Sequence, residues 1–325
     1  MAPQSPKRRW IVAVSAPVLL TLVFFAGPVH RIDDTVEAVR VPTAPAALDT
    51  YLAASERRHP DIVPGAEKTI VWAHADRRKT PLSIIYLHGF SASRQEVAPL
   101  CDQLGAELGA NVFYTRLAGH GRSPEAMGDV QGNEWLQDAT EALAIGRELG
   151  ERVIVVGTST GGTLALWLAQ RDRERIAALV LISPNLGPRG AGAELLAGPW
   201  GAQVLRVVMG PEHRWEPANA AQARYWNWQY PSVALLPMMA LVKNVRESPL
   251  ESITTPTLVL YSPQDQVVEP GETERAFARL GAARKRLQAV TDSADRSSHV
   301  LAGDILAARD TARVRAWIME FLEPR

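Results

Sequence analysis

From Thr69 onward, short apolar runs rich in β-branched residues alternate with amphipathic stretches. Runs at 69–74, 82–89, 111–117, 152–157, 177–183, 255–262 and 286–290 are bounded by charged, Gly- or Pro-containing turns and read as strands. In "RQEVAPLCDQLGAELG", residues 94–109, Val97, Leu100, Cys101, Leu104 and Leu108 recur at helical spacing, with Gly109 at the end. Further helices are predicted over 134–149, 162–171, 272–280 and from about Gly303 to Leu322. Near-continuous apolar strands alternating with helices predict an α/β fold, a mainly parallel sheet flanked by helices on both faces. Ligand sites in such sheets lie outside the carboxyl ends of the strands.

Two segments fall outside the alternation. Lys7, Arg8 and Arg9 precede an uncharged apolar run from Trp10 to Gly27, close to the length that spans a hydrocarbon core of about 30 Å. Basic residues ahead of the run predict a signal anchor, with the domain that follows held on the non-cytoplasmic side of a membrane. A cleaved signal peptide, giving a secreted or periplasmic protein, is the alternative; Phe24 and Phe25 intrude where a small-residue cleavage site would lie. Residues 1–30 are thus the anchor or signal peptide, and 31–67, rich in Pro and Ala, a tether leading into the core. The core occupies 68–185 and 250–325, interrupted by an insertion at 186–249 that carries Trp200, Trp215, Trp226 and Trp228, four of the nine tryptophans.

Composition narrows the chemistry. Lys+Arg and Asp+Glu both number 35 in 325 residues, so no basic excess favours nucleic-acid binding. Cys101 is the single cysteine, which excludes an internal disulfide and a cysteine-based zinc site and reads as a buried helix residue. No metal or organic cofactor is implied.

In "VIVVGTSTGG", Ser159 stands between Gly157 and Gly161, after a strand and before a helix. G-x-S-x-G in that context describes a nucleophile elbow, a tight turn that exposes a serine hydroxyl above the sheet. Taken alone, the motif also fits a structural turn with an incidental serine. A serine needs a base. His88, His120 and His299 all follow strands, and chain order separates them. A triad on this kind of sheet runs serine, acid, histidine, and only His299 follows both Ser159 and a strand-end acid, Asp265 in "SPQDQVV". Asp292 and Asp295 compete with Asp265 but stand close before His299 on the same loop.

Taken together, "HGF" (88–90), "GHGRS" (119–123), "GTSTGG" (157–162), "SPQDQVV" (262–268) and "SSHVLAGD" (297–304) resemble the α/β-hydrolases, in particular the branch of monoacylglycerol lipases, carboxylesterases and serine-aminopeptidase-like hydrolases. The resemblance covers roughly residues 68–325. It implies that Ser159, Asp265 and His299 are nucleophile, acid and base, and that the backbone N–H groups of Phe90 and Thr160 form an oxyanion hole. His88, Gly89, His120, Gly157 and Gly161 would support the site loops. The insertion would be a cap, with Trp200, Trp215, Trp226 and Trp228 lining an acyl pocket. Thr158 and Thr160 depart from the bulkier residues that often flank the serine in this branch.

The expectation is a serine hydrolase acting on small-molecule or lipid-derived esters of apolar acyl groups, with the membrane as a partner through the N-terminal segment. An aminopeptidase, amidase or C–C hydrolase with the same triad is the alternative; Glu194, Glu212 and Glu216 of the cap would then meet a substrate amine. A silent binding protein on the same fold is a further alternative.

Overall fold

The computed structural model describes residues 21–190 and 192–323. The strands are β1 Thr69–Val71, β2 Thr80–Leu87, β3 Asn111–Tyr114, β4 Gly150–Thr158, β5 Ile176–Ile182, β6 Glu212–Arg214, β7 Gln229–Pro231, β8 Thr257–Tyr261 and β9 Lys285–Ala289. Seven of them form one sheet in the order β1-β3-β2-β4-β5-β8-β9, and β6 and β7 form a separate pair. Every strand expected from the apolar runs is in the large sheet, with ends shifted by a few residues. Its pairings are parallel except at the edge, where β1 runs antiparallel to β3 with Ile70 opposite Phe113.

Both faces of the sheet are apolar, which is why its strands read as continuous runs. Ile85, Leu87, Val153, Val155, Leu179 and Leu181 point into one core cluster. Their neighbours Ile84, Tyr86, Ile154, Val156, Val180 and Ile182 point into the other. Helices α1 Pro45–Glu56, α2 Leu100–Leu108, α3 Gly132–Leu149 and α4 Thr160–Arg171 precede the insertion. The insertion holds α5 Ala193–Leu196, α6 Gly201–Val208, α7 Ala220–Tyr225 and α8 Leu235–Glu247, and α9 Pro270–Arg279 and α10 Ala308–Leu322 follow it. α3 and α4 cover the first face, α2 and α10 the second.

Two differences from the sequence expectations bear on function. The stretch read as one helix over 94–109 is a short 3-10 turn at Arg94–Glu96 followed by α2, which begins only after Pro99. Proline has no N–H to give a helix and disfavours helical geometry in the residue before it. Glu96 is thereby left on the inner side of the turn, 2% exposed. Residues 31–67, read as a tether, contain α1, whose Leu48 and Leu52 are buried in the first core cluster. Burying each leucine contributes about 1.5–3 kcal/mol.

Residues 10–20 of the expected anchor lie outside the described residues, and residues 21–25 are helical. Among the described residues no helix is long and apolar enough to cross a membrane. The insertion packs directly on the body. Leu235, Met238, Met239, Leu241 and Val245 of α8 share a core cluster with Leu164, Trp167 and Leu168 of α4.

Candidate active site

β4 ends at Thr158 and α4 begins at Thr160, so Ser159 is the whole connection. It holds φ 53° and ψ −119°, a left-handed conformation that a non-glycine residue keeps only where its surroundings impose it. Gly157 and Gly161 are those surroundings. A Cβ on Gly157 would stand 2.4 Å from Gly161 O, and one on Gly161 only 1.9 Å from Leu87 O. The glycines let β4, α4 and the end of β2 meet at backbone distance. Ser159 N–H donates to Ile182 O at 2.9 Å, and Ser159 O accepts from Asn185 N at 3.0 Å, which ties the turn to the end of β5.

Asp265 and His299 come from the loops after β8 and β9. His299 Nδ1 lies 2.8 Å from Asp265 Oδ2, while Asp265 Oδ1 accepts the N–H groups of Val267 at 2.7 Å and Val268 at 2.9 Å. The carboxylate is therefore fixed before it meets the imidazole. Asp295 has a different place: its Oδ2 accepts the backbone N–H groups of His299 and Val300 and shapes the loop. Asp292 pairs with Arg313. Burial pulls the His299 imidazole toward the neutral form, but Asp265, Glu96 and Asp295 outweigh it and raise its pKa above the ordinary 6.5.

The loop after β2 is held by side chains on both sides. Leu117 N–H donates to His88 Nε2 at 3.0 Å, which places the ring proton on Nδ1, 2.9 Å from Gly89 O. Gly89 O and Phe90 N–H belong to one planar peptide and point in opposite directions. By holding the carbonyl, His88 aims the Phe90 N–H away from itself. The Thr160 N–H stands at the first position of α4, where helix amides lack intrahelical partners and the helix dipole favours negative charge. His88 is kept neutral by burial, by His120 and by Arg116, its pKa well below 6.5. His120, whose ring contacts those of His88, Phe90 and Trp135, is lowered to about 4 by burial. Both sit at the site as neutral supports.

Two residues absent from the sequence reading tie the site together. Glu96 Oε2 accepts Gly89 N–H at 2.8 Å and Tyr86 O–H at 2.7 Å. Asn227 of the cap donates its N–H to Ser91 O at 2.7 Å, accepts Gly121 N–H at 3.3 Å and donates Nδ2 to Arg122 O at 3.0 Å. Neither carries a motif; each is found only through its backbone partners.

The cap tryptophans are dispersed. Trp200 faces the N-terminal segment, its indole N–H 3.0 Å from Phe24 O and its backbone N–H 2.8 Å from Pro28 O. Trp215 packs on the core, and its N–H extends the β6–β7 pair to Trp228 O. Trp226 and Trp228 border a cavity of ≈ 160 Å³ with Val63, Arg122 and Asn227, and Ser159 is not among its walls. Tyr230 of the insertion meets the loop after β2, its ring centre 5.4 Å from that of Phe90.

The family model of the serine aminopeptidases, S33, matches residues 79–294, more than half of the chain. The chain is a member of the S33 α/β-hydrolase family. This S33 hydrolase is 24% identical over 213 residues to a thermostable monoacylglycerol lipase of Bacillus sp. (strain H-257), covering 66% of this chain and 82% of that protein. It is 31% identical over 172 residues to the lipase LipV of Mycobacterium tuberculosis, covering 41% of this chain and 63% of the relative. Among solved structures, a metagenome-derived lipolytic enzyme of the LipS and LipT study superposes with a TM-score of 0.67 at 21% identity, over 80% of this chain and 98% of the other. The monoacylglycerol lipase of Paleococcus ferrophilus does so with a TM-score of 0.59 at 18% identity, over 79% and 98%. At these identities the structural likeness speaks for the fold.

Proposed function

We propose that the protein is a carboxylic ester hydrolase acting on apolar acyl esters of the monoacylglycerol type through Ser159, His299 and Asp265. The observation that carries this reading is the left-handed Ser159 at the β4–α4 junction, together with an imidazole on a strand-end loop whose Nδ1–H is committed to Asp265. That commitment leaves Nε2 to take the serine proton. Ser159 Oγ attacks the ester carbonyl, and the oxygen that becomes negative is met by the N–H groups of Phe90 and Thr160. The imidazolium returns its proton to the leaving alcohol, and water cleaves the acyl-enzyme by the same route in reverse order.

The lipase names of the sequence relatives support an apolar acyl group. The aminopeptidase alternative loses two of its three candidate amine receptors. Glu194 is paired with Arg246 at 2.7 and 2.8 Å, and Glu212 is bonded by Arg214 and Gln229, so both carboxylates are already matched. A serine rather than a carboxylate at the elbow disfavours dehalogenase and epoxide-hydrolase chemistry. The apolar run after Lys7–Arg9 supports a tether that keeps the hydrolase on the non-cytoplasmic side of a membrane.

The test is hydrolysis of p-nitrophenyl esters from acetate to palmitate by the full chain, with Ser159→Ala as control. Turnover that the substitution abolishes is expected, with an optimum at medium or long acyl chains. Equal turnover by both proteins overturns the reading.

A further inference from the structure

Glu96 is a carboxylate in an unusual place. It is 2% exposed, no arginine or lysine among the described residues is bonded to it, and one oxygen takes both donors: Oε2 accepts Gly89 N–H at 2.8 Å and Tyr86 O–H at 2.7 Å. The Tyr86 hydroxyl lies in turn 3.1 Å from Thr158 Oγ1, next to the serine in sequence. A Cβ built on Gly89 would lie 2.7 Å from Oε1, 3.3 Å from Oε2 and 3.2 Å from Ser159 Cβ, so the carboxylate and the serine both border the space beside Gly89. A buried carboxylate costs stability unless something uses its charge or its acceptors.

We propose that Glu96 is a positioning residue for the hydrolysis, fixing the oxyanion loop through Gly89 N–H and presenting a second negative charge to His299 during proton transfer. The inference rests on the proposed roles of Ser159 and His299. His88 holds the carbonyl of the Gly89–Phe90 peptide and Glu96 holds the N–H of the His88–Gly89 peptide, so two consecutive peptide planes of the loop are set by side chains. The charged groups that act on the imidazole are Asp265 from the β8 loop, Asp295 from its own loop and Glu96 from the β2 loop. Arg189 is a cation beside the acid, donating to the backbone O of Asp265. Burial raises the carboxyl pKa of Glu96 above its ordinary 4.5, and the Gly89 and Tyr86 donors and the His299 charge oppose the rise without cancelling it. An ionised Glu96 stabilises the imidazolium that forms as Ser159 attacks, and it does so without touching the substrate.

Glu96→Gln separates this role from a purely structural one, because the amide keeps the shape and an acceptor for Gly89 while removing the charge. For kcat/KM against pH, the acidic midpoint is expected to move down by about half a unit or more, a threefold weaker proton affinity of His299. On the alkaline plateau kcat is expected to fall at least about threefold, with KM within about twofold, since only the charge that forms in the transition state loses a partner. NMR titration of ring-labelled His299 in Ser159→Ala, with and without Glu96→Gln, reads the same shift without turnover. A wild-type chain inactive on every ester defeats the proposed function, and the titration then still decides for or against Glu96. Titration curves and pH profiles that superimpose with and without Glu96→Gln overturn the inference.

Discussion

His299 Nδ1 and Asp265 Oδ2 are 2.8 Å apart although 34 positions separate the residues in the chain. The parallel pairing of β8 and β9, with Tyr261 opposite Ala289, delivers both loops to the same end of the sheet. Two backbone amides hold the acid from the side away from the imidazole. Asp265→Asn keeps the shape but turns a donor toward Nδ1 and favours the wrong tautomer. Its kcat on a soluble ester is expected to fall on the order of 10⁴-fold, while the far-UV spectrum and Tm stay close to wild type. A loss under about tenfold would remove Asp265 from the mechanism.

The same pair sets the pH dependence. In the proposed mechanism the base acts as neutral imidazole, and its pKa is raised above 6.5 because Asp265, Glu96 and Asp295 outweigh burial. Protonation at low pH therefore switches the enzyme off earlier than an ordinary histidine would. The kcat/KM profile is expected to rise with pH through a midpoint above 6.5. Asp265→Asn, if enough activity survives to measure, moves that midpoint down. A wild-type midpoint well below 6.5 would contradict the arrangement.

Gly161 and Gly109 make a matched pair for testing the elbow. A Cβ on Gly161 would lie 1.9 Å from Leu87 O, whereas Gly109, at φ +59°, has nothing within 4 Å of its added Cβ. Gly161→Ala has to push β2 and α4 apart and is expected to cost about 3 kcal/mol or more, with loss of activity. Gly109→Ala meets only the left-handed backbone penalty of about 1–2 kcal/mol and stays active. Equal denaturation midpoints for the two variants would show that strand and helix are not in backbone contact at Gly161.

The large sheet was legible because both of its faces are apolar, so that Ile84 to Leu87 and Val153 to Val156 form unbroken runs. The strand-end loops that carry Ser159, Asp265 and His299 were legible because each follows one of the apolar runs. The direction of β1 was not, since antiparallel pairing with β3 depends on a partner some forty residues away. α1 hid in an Ala- and Pro-rich stretch with few large apolar side chains. Glu96 hid for another reason: "RQEV" reads as the polar face of a helix, and only the break before Leu100 turns the carboxylate inward. The dispersion of the cap tryptophans was equally invisible, because composition gives no direction to a side chain.

α1 is anchored by a buried charge pair. Glu56 Oε2 and Oε1 accept from Arg116 Nε and Nη2, both at 2.9 Å, and Arg116 is 4% exposed. Burial pushes the Glu56 carboxyl up, but Arg116 and the Lys68 N–H bring it below its ordinary 4.5. The contribution to stability is thus complete above pH 4.5 and lost as pH falls through the depressed value. Glu56→Ala leaves an unpaired guanidinium beside the "GHGRS" loop and is expected to cost about 3–5 kcal/mol at neutral pH. The deficit should shrink as the pH falls below 4.5 toward the depressed value, where wild type loses the same charge. Chemical denaturation at neutral and acidic pH measures both, and a constant deficit would mean that packing rather than charge holds α1.

Trp200 gives the cap a hold on the segment that leads out of the fold. Its indole N–H reaches Phe24 O at 3.0 Å, and a Cβ on Gly27 would lie 2.1 Å from that same nitrogen, so the segment is pressed against the ring. Trp200→Phe removes the donor and part of the surface, about 1 kcal/mol or somewhat more of local stability. Protease cleavage between residues 21 and 30 is expected to quicken by up to about tenfold as the segment opens more often. Hydrolysis of short, soluble esters should change less than about twofold, because Trp200 is matched to the N-terminal segment and not to Ser159 or His299. A large fall in kcat/KM that grows with acyl length, with no change in proteolysis, would instead place Trp200 against the acyl chain.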